Sequence, residues 1–473
     1  MNYSSSISMK HLPNEVLTSI LEYCPRPALL RVCTRWRHLL ATEVMPSLYK
    51  QIGKTHVPQG DVSEQALILD KLYKLEAELP EVEKVKAIFK QIFALASTLS
   101  PLEFKSETEE KKYFTLSNYS SYLININRLL IWNKISGGKE YLDQEEIKYL
   151  PLEKKGELFR DWIERHSKDI TSLNLTEIGL TFLPPEIEQL SHLQELKVND
   201  NQLTSVPKKI EHLSQLQMLD LDDNQLNFLP VKIGQLSQLQ MLYLNRNQLT
   251  SLPAEIGQLA KLQWFHLHNN QLTCLPAEIG QLSQLQMLYL NHNQLISLPI
   301  KIGQLFQLQE LYLDGNQLTC LPTGIGQLSQ LQWLYLDDNQ LTTLPAELGQ
   351  LSQLQILYLN NNQLTCLPAE IGQLSQLRRL GLSSNQLAAL PAEIGQLSQL
   401  EALILSSNQL NSLPAEIGQL SQLQDLDLNN NQLTCLPAEL GQLNALQRLN
   451  LENNQLTTLP AEIENLLALS RLY

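Results

Sequence analysis

A row of aromatic side chains recurs at one fixed place in the second half of the sequence. Every 23 residues the same position carries a ring: Tyr243, His266, Tyr289, Tyr312, Tyr335 and Tyr358. Trp264 and Trp333 stand two residues before this position, and Asp314 and Asp337 stand two residues after it. Rings offer apolar contact and faces for a cation, and carboxylates attract a basic partner. The chemistry that these residues can do is therefore non-covalent recognition.

Covalent chemistry finds no support in the sequence. No nucleophile can be grouped with a base and an orienting residue to form a catalytic site. The segment 61–150 has no His, Cys and carboxylate residues at the spacing of a metal or catalytic site. We therefore expect no enzyme, no cofactor and no metal.

Strand propensity alone is an alternative explanation of the tyrosines. Exposed aromatic residues clustered on one face more often mark a binding surface.

The element that holds these residues has a 23-residue period. From Asn201 to Asn454 an asparagine recurs in every period, within a phrase such as Leu-Gln-Met-Leu-Tyr-Leu-Asn-His-Asn-Gln-Leu over 285–295. This phrase resembles the leucine-rich repeat, in which each unit contributes a short strand and a helical or irregular return. One unit cannot bury its leucines alone, so stacked units are expected to form one continuous core.

The position of the ring within the period predicts where it points. Side chains alternate along a strand, so residues between the core leucines should lie on the concave face of a parallel sheet. The asparagine can donate to and accept from backbone groups in the turn after the strand. From Tyr243 to Tyr358 the row spans five repeat steps, or about 24 Å, which suits a helix or an extended peptide of a target protein.

Charge divides the chain of 473 residues into two parts. Residues 1–169 carry 24 basic and 23 acidic side chains, whereas the remainder carries 11 basic and 26 acidic ones. The net charge of −14 therefore belongs to the repeats. An acidic repeat array is a poor partner for nucleic acid and a plausible one for a basic protein surface.

The sequence predicts a cytoplasmic protein without a membrane partner. No run of about 18 apolar residues is present, and the first ten residues lack a signal-peptide pattern. Cys274, Cys320, Cys366 and Cys435 share one place in the period and are two or more repeats apart. That separation, roughly 10 Å or more, is too long for a disulfide between neighbours. Reduced thiols suit a cytosol, and here they would serve as small apolar residues.

Residues 9–50 contain two amphipathic helical patterns. The first opens at Leu-Pro-x-Glu-Val-Leu over 12–17, and the second contains Val-Cys-x-Arg-Trp-Arg over 32–37. Together they resemble the F-box, although the stretch between them is about three residues shorter than the usual pattern. The resemblance implies docking on the Skp-type adaptor of a cullin-RING ubiquitin ligase. The residues implied in docking are Leu12, Pro13, Leu17, Ile20, Leu21, Leu30, Val32 and Trp36.

The remaining segments complete an α+β chain with an all-helical N-terminal region before a leucine-rich-repeat solenoid. Residues 51–60 are expected to form a linker, and 61–150 a helical spacer domain with helices over 67–79, 82–99 and 113–135. Residues 151–169 should cap the apolar end of the array with a helix over 157–168. The repeats then occupy 170–473. They begin with a degenerate copy in which Ile178 replaces the asparagine, and they stop in mid-repeat, where the chain should fray.

Two functional hypotheses follow. In the first, the F-box docks a ubiquitin ligase and the concave repeat face holds the target protein. Nearly identical repeat copies together with an F-box resemble effectors that intracellular bacteria deliver into the host cytosol. In the second, the N-terminal helices pack only against the next domain, and the repeats form a scaffold that sequesters a partner without ubiquitination.

Overall fold

The computed structural model describes residues 13–23, 33–57, 61–105, 114–462 and 471–472. The chain divides into two compact units. The first comprises Met1–Leu193 and Val198–Pro207, and the second comprises Gln194–Lys197 and Lys208–Tyr473. The described parts of the F-box-like segment and the spacer, together with the cap and the first repeat, therefore belong to a single unit.

The described part of the first unit contains ten α-helices and one short strand. The helices are α1 Asn14–Tyr23, α2 Thr34–Leu39, α3 Met45–His56, α4 Val62–Leu72, α5 Glu81–Leu99, α6 Pro101–Lys105, α7 Leu116–Trp132, α8 Gly138–Leu142, α9 Glu145–Lys148 and α10 Leu152–His166. The strand is β1, Ser172–Asn174. A π-helical turn, Leu40–Val44, joins α2 directly to α3. Helical backbone therefore continues without a break from Thr34 to His56.

The prediction of a linker over 51–60 is wrong for residues 51–56. Ile52 and His56 face the core of the unit, so α3 continues to His56. Gly53 lets α4 approach closely, since a Cβ at this position would lie 3.0 Å from the Cβ of Gln65. Burial of an apolar face thus outweighs the low helix propensity of glycine. Residues 58–60 lie outside the described residues.

The other helices lie close to their predicted positions. The helix expected over 82–99 is confirmed, and the one expected over 113–135 spans Leu116–Trp132. The helix expected over 67–79 is shifted to Val62–Leu72, because Asp61 caps its start and Lys74 adopts a left-handed conformation after its end. A buried polar chain links these helices: His56 Nε2 lies 2.5 Å from Tyr119 Oη, which lies 2.6 Å from Tyr73 Oη. Burial lowers the pKa of His56 to about 4.

Helix α10 lies where the cap was expected. It packs against α7 and against the 3-10 turn Pro185–Gln189 of the first repeat. Glu186 in that turn is buried and accepts two hydrogen bonds from Arg128, at 2.6 and 3.1 Å. A buried carboxylate is tolerated only when it is paired in this way. The first repeat is therefore tied to the helices by charge as well as by apolar contact.

The second unit is a parallel sheet whose strand order follows the chain. Its strands are β2 Glu195–Lys197, β3 Met218–Asp220, β4 Met241–Tyr243, β5 Trp264–His266, β6 Met287–Tyr289, β7 Glu310–Tyr312, β8 Trp333–Tyr335, β9 Ile356–Tyr358, β10 Arg379–Gly381, β11 Ala402–Ile404, β12 Asp425–Asp427, β13 Arg448–Asn450 and β14 Arg471–Leu472. Each strand pairs with the strand 23 residues away, as Tyr312 does with Tyr335. The predicted repeat solenoid with a parallel sheet is confirmed.

The return segments of the repeats are short 3-10 turns. From Val231–Gln235 to Ala438–Gln442, each begins directly after the proline of its repeat. Proline is favoured at this place because a backbone N–H at the start of a helical turn has no partner within the turn, so its absence costs nothing. The leucines and isoleucines of strand, turn and return are almost all fully buried. The predicted fraying of the last half-repeat concerns 463–470 and Tyr473, which lie outside the described residues.

The repeated asparagine joins neighbouring repeats. Asn339 Nδ2 donates to the carbonyl oxygens of Leu313 and Leu336 at 2.9 and 3.1 Å, and Asn339 Oδ1 accepts from the backbone N–H of Leu318 at 2.9 Å. Leu313 and Leu318 belong to the preceding repeat. The residue before each asparagine adopts a left-handed conformation, as Asp338 does with φ of 54°. The amide therefore satisfies a buried turn that neither repeat could satisfy alone.

Replacing Asn339 by alanine should destabilise this part of the array by about 1–3 kcal/mol, because buried backbone groups lose their partners. The measurement is native-state hydrogen exchange, in which the amide of Leu318 should exchange faster. Asn444 is exposed and occupies a place that is serine in most repeats, so Asn444→Ser is the control and should change stability by less than about 0.5 kcal/mol. Equal effects of the two substitutions would contradict the role assigned to the amide.

Candidate functional site

The predicted aromatic residues lie on one face of the sheet. Each is the third residue of its strand, from β4 to β9, and the middle residue of each strand is fully buried in the core. The first and third residues therefore project from the opposite side, which we call the outer face. We use the name ring row for Tyr243, His266, Tyr289, Tyr312, Tyr335 and Tyr358. All six are partly exposed.

The ring row is continuous. The centroids of successive rings are separated by 4.8, 4.3, 4.3, 4.4 and 5.3 Å from Tyr243 to Tyr358. This contact follows from the strand spacing of about 4.8 Å, which leaves no room for an isolated ring. The row is therefore held in place before any partner arrives, and little side-chain freedom remains to be lost on binding.

Ring orientation changes what a partner can contact. His266 stacks on Tyr289 with an interplanar angle of 12°, and Tyr312 stacks on Tyr335 with an angle of 8°. The stacked pairs cover the ring faces between them, so a partner meets ring edges and hydroxyls there. Contact between a cation and a ring face, which the sequence suggested, is confined to the faces that the stacks leave uncovered.

The row ends where a side chain has no room. The equivalent residue of β10 is Gly381, and a Cβ at this position would lie 2.7 Å from Cδ1 of Tyr358. The Tyr358 ring therefore occupies the space that a further side chain would need. Beyond this point the first residues of β10, β12 and β13 are Arg379, Asp425 and Arg448. The outer face is therefore aromatic in its middle and charged after β9.

A second row is formed by the first residue of each strand. It contains Met241, Trp264, Met287, Glu310, Trp333 and Ile356, of which Trp264 is exposed. Sequence reasoning missed Glu310, which is 9% exposed and whose Oε2 accepts a hydrogen bond of 2.9 Å from Tyr289 Oη. The sequence feature that could have identified Glu310 is an acidic residue at a position that is methionine or tryptophan in the neighbouring repeats.

The predicted acidic residues lie just after the strands. Burial raises the pKa of Asp337 to about 6, although hydrogen bonds from Asn360 oppose the shift. Asn360 donates its backbone N–H to Asp337 Oδ1 at 2.7 Å. Burial also raises the pKa of Asp314, and His292 opposes that shift. Both carboxylates would therefore be stabilised by a basic partner.

The residues predicted to dock on an adaptor do not all lie on the surface. Leu17 and Leu21 of α1 are each only 1% exposed and belong to the core of the first unit, so their prediction as surface contacts is corrected. They are buried because this face of α1 packs against the π-helical turn Leu40–Val44. Arg35 also ties α2 to α1 by hydrogen bonds to Asn14 Oδ1 at 2.6 and 2.9 Å.

Other predicted adaptor contacts remain accessible. Ile20 is 37% exposed, its neighbour Val16 is 43% exposed, Pro13 is exposed and Trp36 is partly exposed. Leu12, Leu30 and Val32 lie outside the described residues. The surface that α1 offers is therefore smaller than predicted and is centred on Val16 and Ile20.

Other kinds of site find no support in the described part of the chain. No group of three His, Cys, Asp or Glu residues there could hold a metal ion. None of the helices described combines the length and apolar character needed to cross a membrane. Cys274, Cys320, Cys366 and Cys435 are exposed and unpaired.

The raised pKa of Asp337 predicts a pH dependence of stability. The unfolded carboxyl titrates near 3.8 and the folded one near 6, so the folded state holds an extra proton between these pH values. The contribution of Asp337 to stability therefore falls as pH rises through 6. Asp337→Asn should raise the unfolding midpoint in urea at pH 7.5 and have little effect at pH 4. A carboxyl titration followed by NMR with a midpoint near 4 would contradict this.

Comparisons with known proteins agree with this architecture. The model described as leucine-rich repeat region matches 212–289, 231–315, 254–335, 301–375, 323–407 and 369–431. Two further leucine-rich repeat models match 168–226, and 422–443 with 445–466. Together the matches extend over more than half of the chain. No curated protein matches it.

Many solved structures resemble the chain. A leucine-rich-repeat protein of Leptospira interrogans is 40% identical over 66% of this chain and 96% of that one, with a TM-score of 0.43. The plant peptide hormone receptor RGFR1 in complex with RGF2 is 33% identical over 60% of this chain and 47% of the receptor chain, with a TM-score of 0.55. The functional domain of InlJ from Listeria monocytogenes, which includes a cysteine ladder, is 25% identical over 65% of this chain and 68% of the InlJ chain, with a TM-score of 0.53. The chain belongs to the leucine-rich-repeat proteins.

Proposed function

We propose that this protein is a non-catalytic receptor subunit of a cullin-RING ubiquitin ligase. It holds a target protein on the outer face of its sheet and docks on the Skp-type adaptor through its N-terminal helices. The cytosol of a eukaryotic cell is the compartment where such an adaptor occurs. The single observation that carries the proposal is the ring row, a continuous aromatic surface on a sheet face that becomes charged after β9.

The target site is supported by the composition and order of the outer face. Clustered Tyr and Trp side chains that are already held in place are typical of the centre of a protein interface. The acidic residues beside the row favour a basic target, because complementary charge speeds encounter. The plant receptor RGFR1, whose repeats are similar, was solved in complex with RGF2, which supports a peptide or protein as the ligand class here.

The docking site is supported by the F-box-like sequence of residues 9–50 and by the exposed apolar residues of α1. Val16 and Ile20 stand one helical turn apart on the surface of a helix whose other face is buried. Adjacent exposed apolar side chains on a helix are typical of a contact with another protein. The buried Leu17 and Leu21 would then serve to hold α1 in position.

A second candidate function is a scaffold that sequesters its target without ubiquitination. The specific observation in its favour is that α1 is already packed within the first unit. Leu17 and Leu21 are buried there, and Asn14 accepts hydrogen bonds from Arg35. The helices therefore have an internal partner, and an adaptor is not needed to cover their core face.

Adaptor binding distinguishes the two candidates. Val16→Ala together with Ile20→Ala should weaken binding of the purified Skp-type adaptor by at least about tenfold, because each side chain loses apolar surface that docking would bury. Isothermal titration calorimetry on the full chain provides the measurement. Leu95→Ala is the matched control, since Leu95 is also an exposed apolar residue, 46% exposed, on α5 of the same unit. The absence of wild-type binding at micromolar concentration would favour the scaffold.

Target binding should depend on the centre of the ring row. Tyr312→Ala with Tyr335→Ala should abolish retention of the target from a eukaryotic cell lysate, because the substitutions remove a stacked pair of rings from the row. Gln304→Ala with Gln327→Ala is the control, since both glutamines are exposed on the 3-10 turns rather than on the sheet. Quantitative mass spectrometry compares the proteins retained by the three full-length chains. Equal retention by all three would show that the ring row is not the site.

A further inference from the structure

Glu310 is out of place in the row to which it belongs. It is the first residue of β7, and its register partners on the neighbouring strands are Met287 and Trp333. Tyr312 projects from the same strand to the same side. From β4 to β9 the other first residues are methionine, tryptophan or isoleucine. A single carboxylate therefore stands within the apolar part of the outer face.

The surroundings of Glu310 leave its charge largely unbalanced. Its side chain is nine-tenths buried among these neighbours, and Tyr289 Oη donates the one hydrogen bond that it receives within the described residues. No Lys or Arg in that part of the chain forms an ion pair with it. A carboxylate can accept about four hydrogen bonds, so most of its capacity is unused.

An uncompensated carboxylate at such a place costs stability. Water is largely removed from it, and a neutral phenol replaces only part of the lost hydration. The methionine found in two neighbouring repeats would pack at the same place without this cost. A cation from outside the chain would balance the charge of this carboxylate.

We infer that Glu310 binds an arginine or lysine side chain which the target inserts into the outer face of the sheet. The inference rests on the proposed target site and narrows it to targets with a basic residue flanked by apolar residues. Met287 and Trp333 would contact the flanking residues, and the indole face of Trp333 suits a guanidinium that pairs with Glu310. Asp314 and Asp337 lie beside the ring row and would draw the basic segment toward the site.

The test uses the full-length chain and a phage library of random twelve-residue peptides. The wild-type chain should select peptides that carry a basic residue between apolar ones. The best peptide is then synthesised with a fluorescent label, and its affinity is measured by anisotropy. It should bind Glu310→Met about thirtyfold or more weakly, because the basic side chain is then buried without a partner. Glu310→Met should fold, since Met241 and Met287 occupy the same place.

Two controls separate pairing from general electrostatics. Glu347→Gln removes one negative charge from a 3-10 turn and should change the affinity less than about threefold, since a partly exposed charge away from the sheet is screened and contributes little. A peptide in which methionine replaces the basic residue should bind Glu310→Met at least as well as it binds the wild-type chain. The basic peptide should thus prefer the wild-type chain and the methionine peptide should not. Such a dependence of one substitution on the other is expected when the two side chains are in direct contact.

The remaining outcomes separate this inference from the proposed function. Peptides that lack a basic residue, or that bind Glu310→Met as tightly as wild type, would overturn the inference. If those same peptides lose binding to the Tyr312→Ala, Tyr335→Ala chain, the proposed target site still stands. If no peptide is enriched, or if the selected peptides bind the tyrosine variant unchanged, the proposed site fails and the inference fails with it.

Discussion

The buried turn after each strand is the constraint on which the array depends. Every repeat leaves backbone N–H and C=O groups where water cannot reach them, and the asparagine side chain satisfies groups of its own repeat and of the preceding one. A buried backbone group without a partner costs about 1–3 kcal/mol, which is comparable with a large part of what one repeat contributes to stability. Regular spacing of the asparagine is therefore a condition for stacking.

Stacking in turn creates the candidate site. Parallel strands lie about 4.8 Å apart, and six successive repeats place a ring at the same position. The rings are forced into contact, and two pairs stack with angles near 10°. The side chains of such a surface lose their conformational entropy when the protein folds. Binding of a partner therefore carries little further entropy cost for ordering them. The same regularity makes any departure conspicuous, as with Glu310 in a row of apolar residues.

The first unit follows different rules. Its helices are amphipathic and bury one face each, and a few polar side chains fix how they meet. His56, Tyr73 and Tyr119 form a hydrogen-bonded chain in its core, and Arg128 pairs with Glu186 of the first repeat. A buried polar group is stable only in one arrangement, so such contacts favour a single packing of the helices. The helices thereby cover the apolar end of the first repeat.

The sequence by itself determined the repeat, the parallel sheet, most of the helices and the face on which the rings lie. These follow from periodicity, because a period of 23 with leucines at fixed offsets has one way to bury them. It did not determine that α3 continues through residues 51–56, that Leu17 and Leu21 face inward, or that Glu310 is buried beside Tyr289. Those outcomes depend on which side chains from distant segments meet, and a single sequence does not record that. Only the tertiary structure decides them, because burial and hydrogen bonding are properties of the assembled neighbours and not of the residue alone.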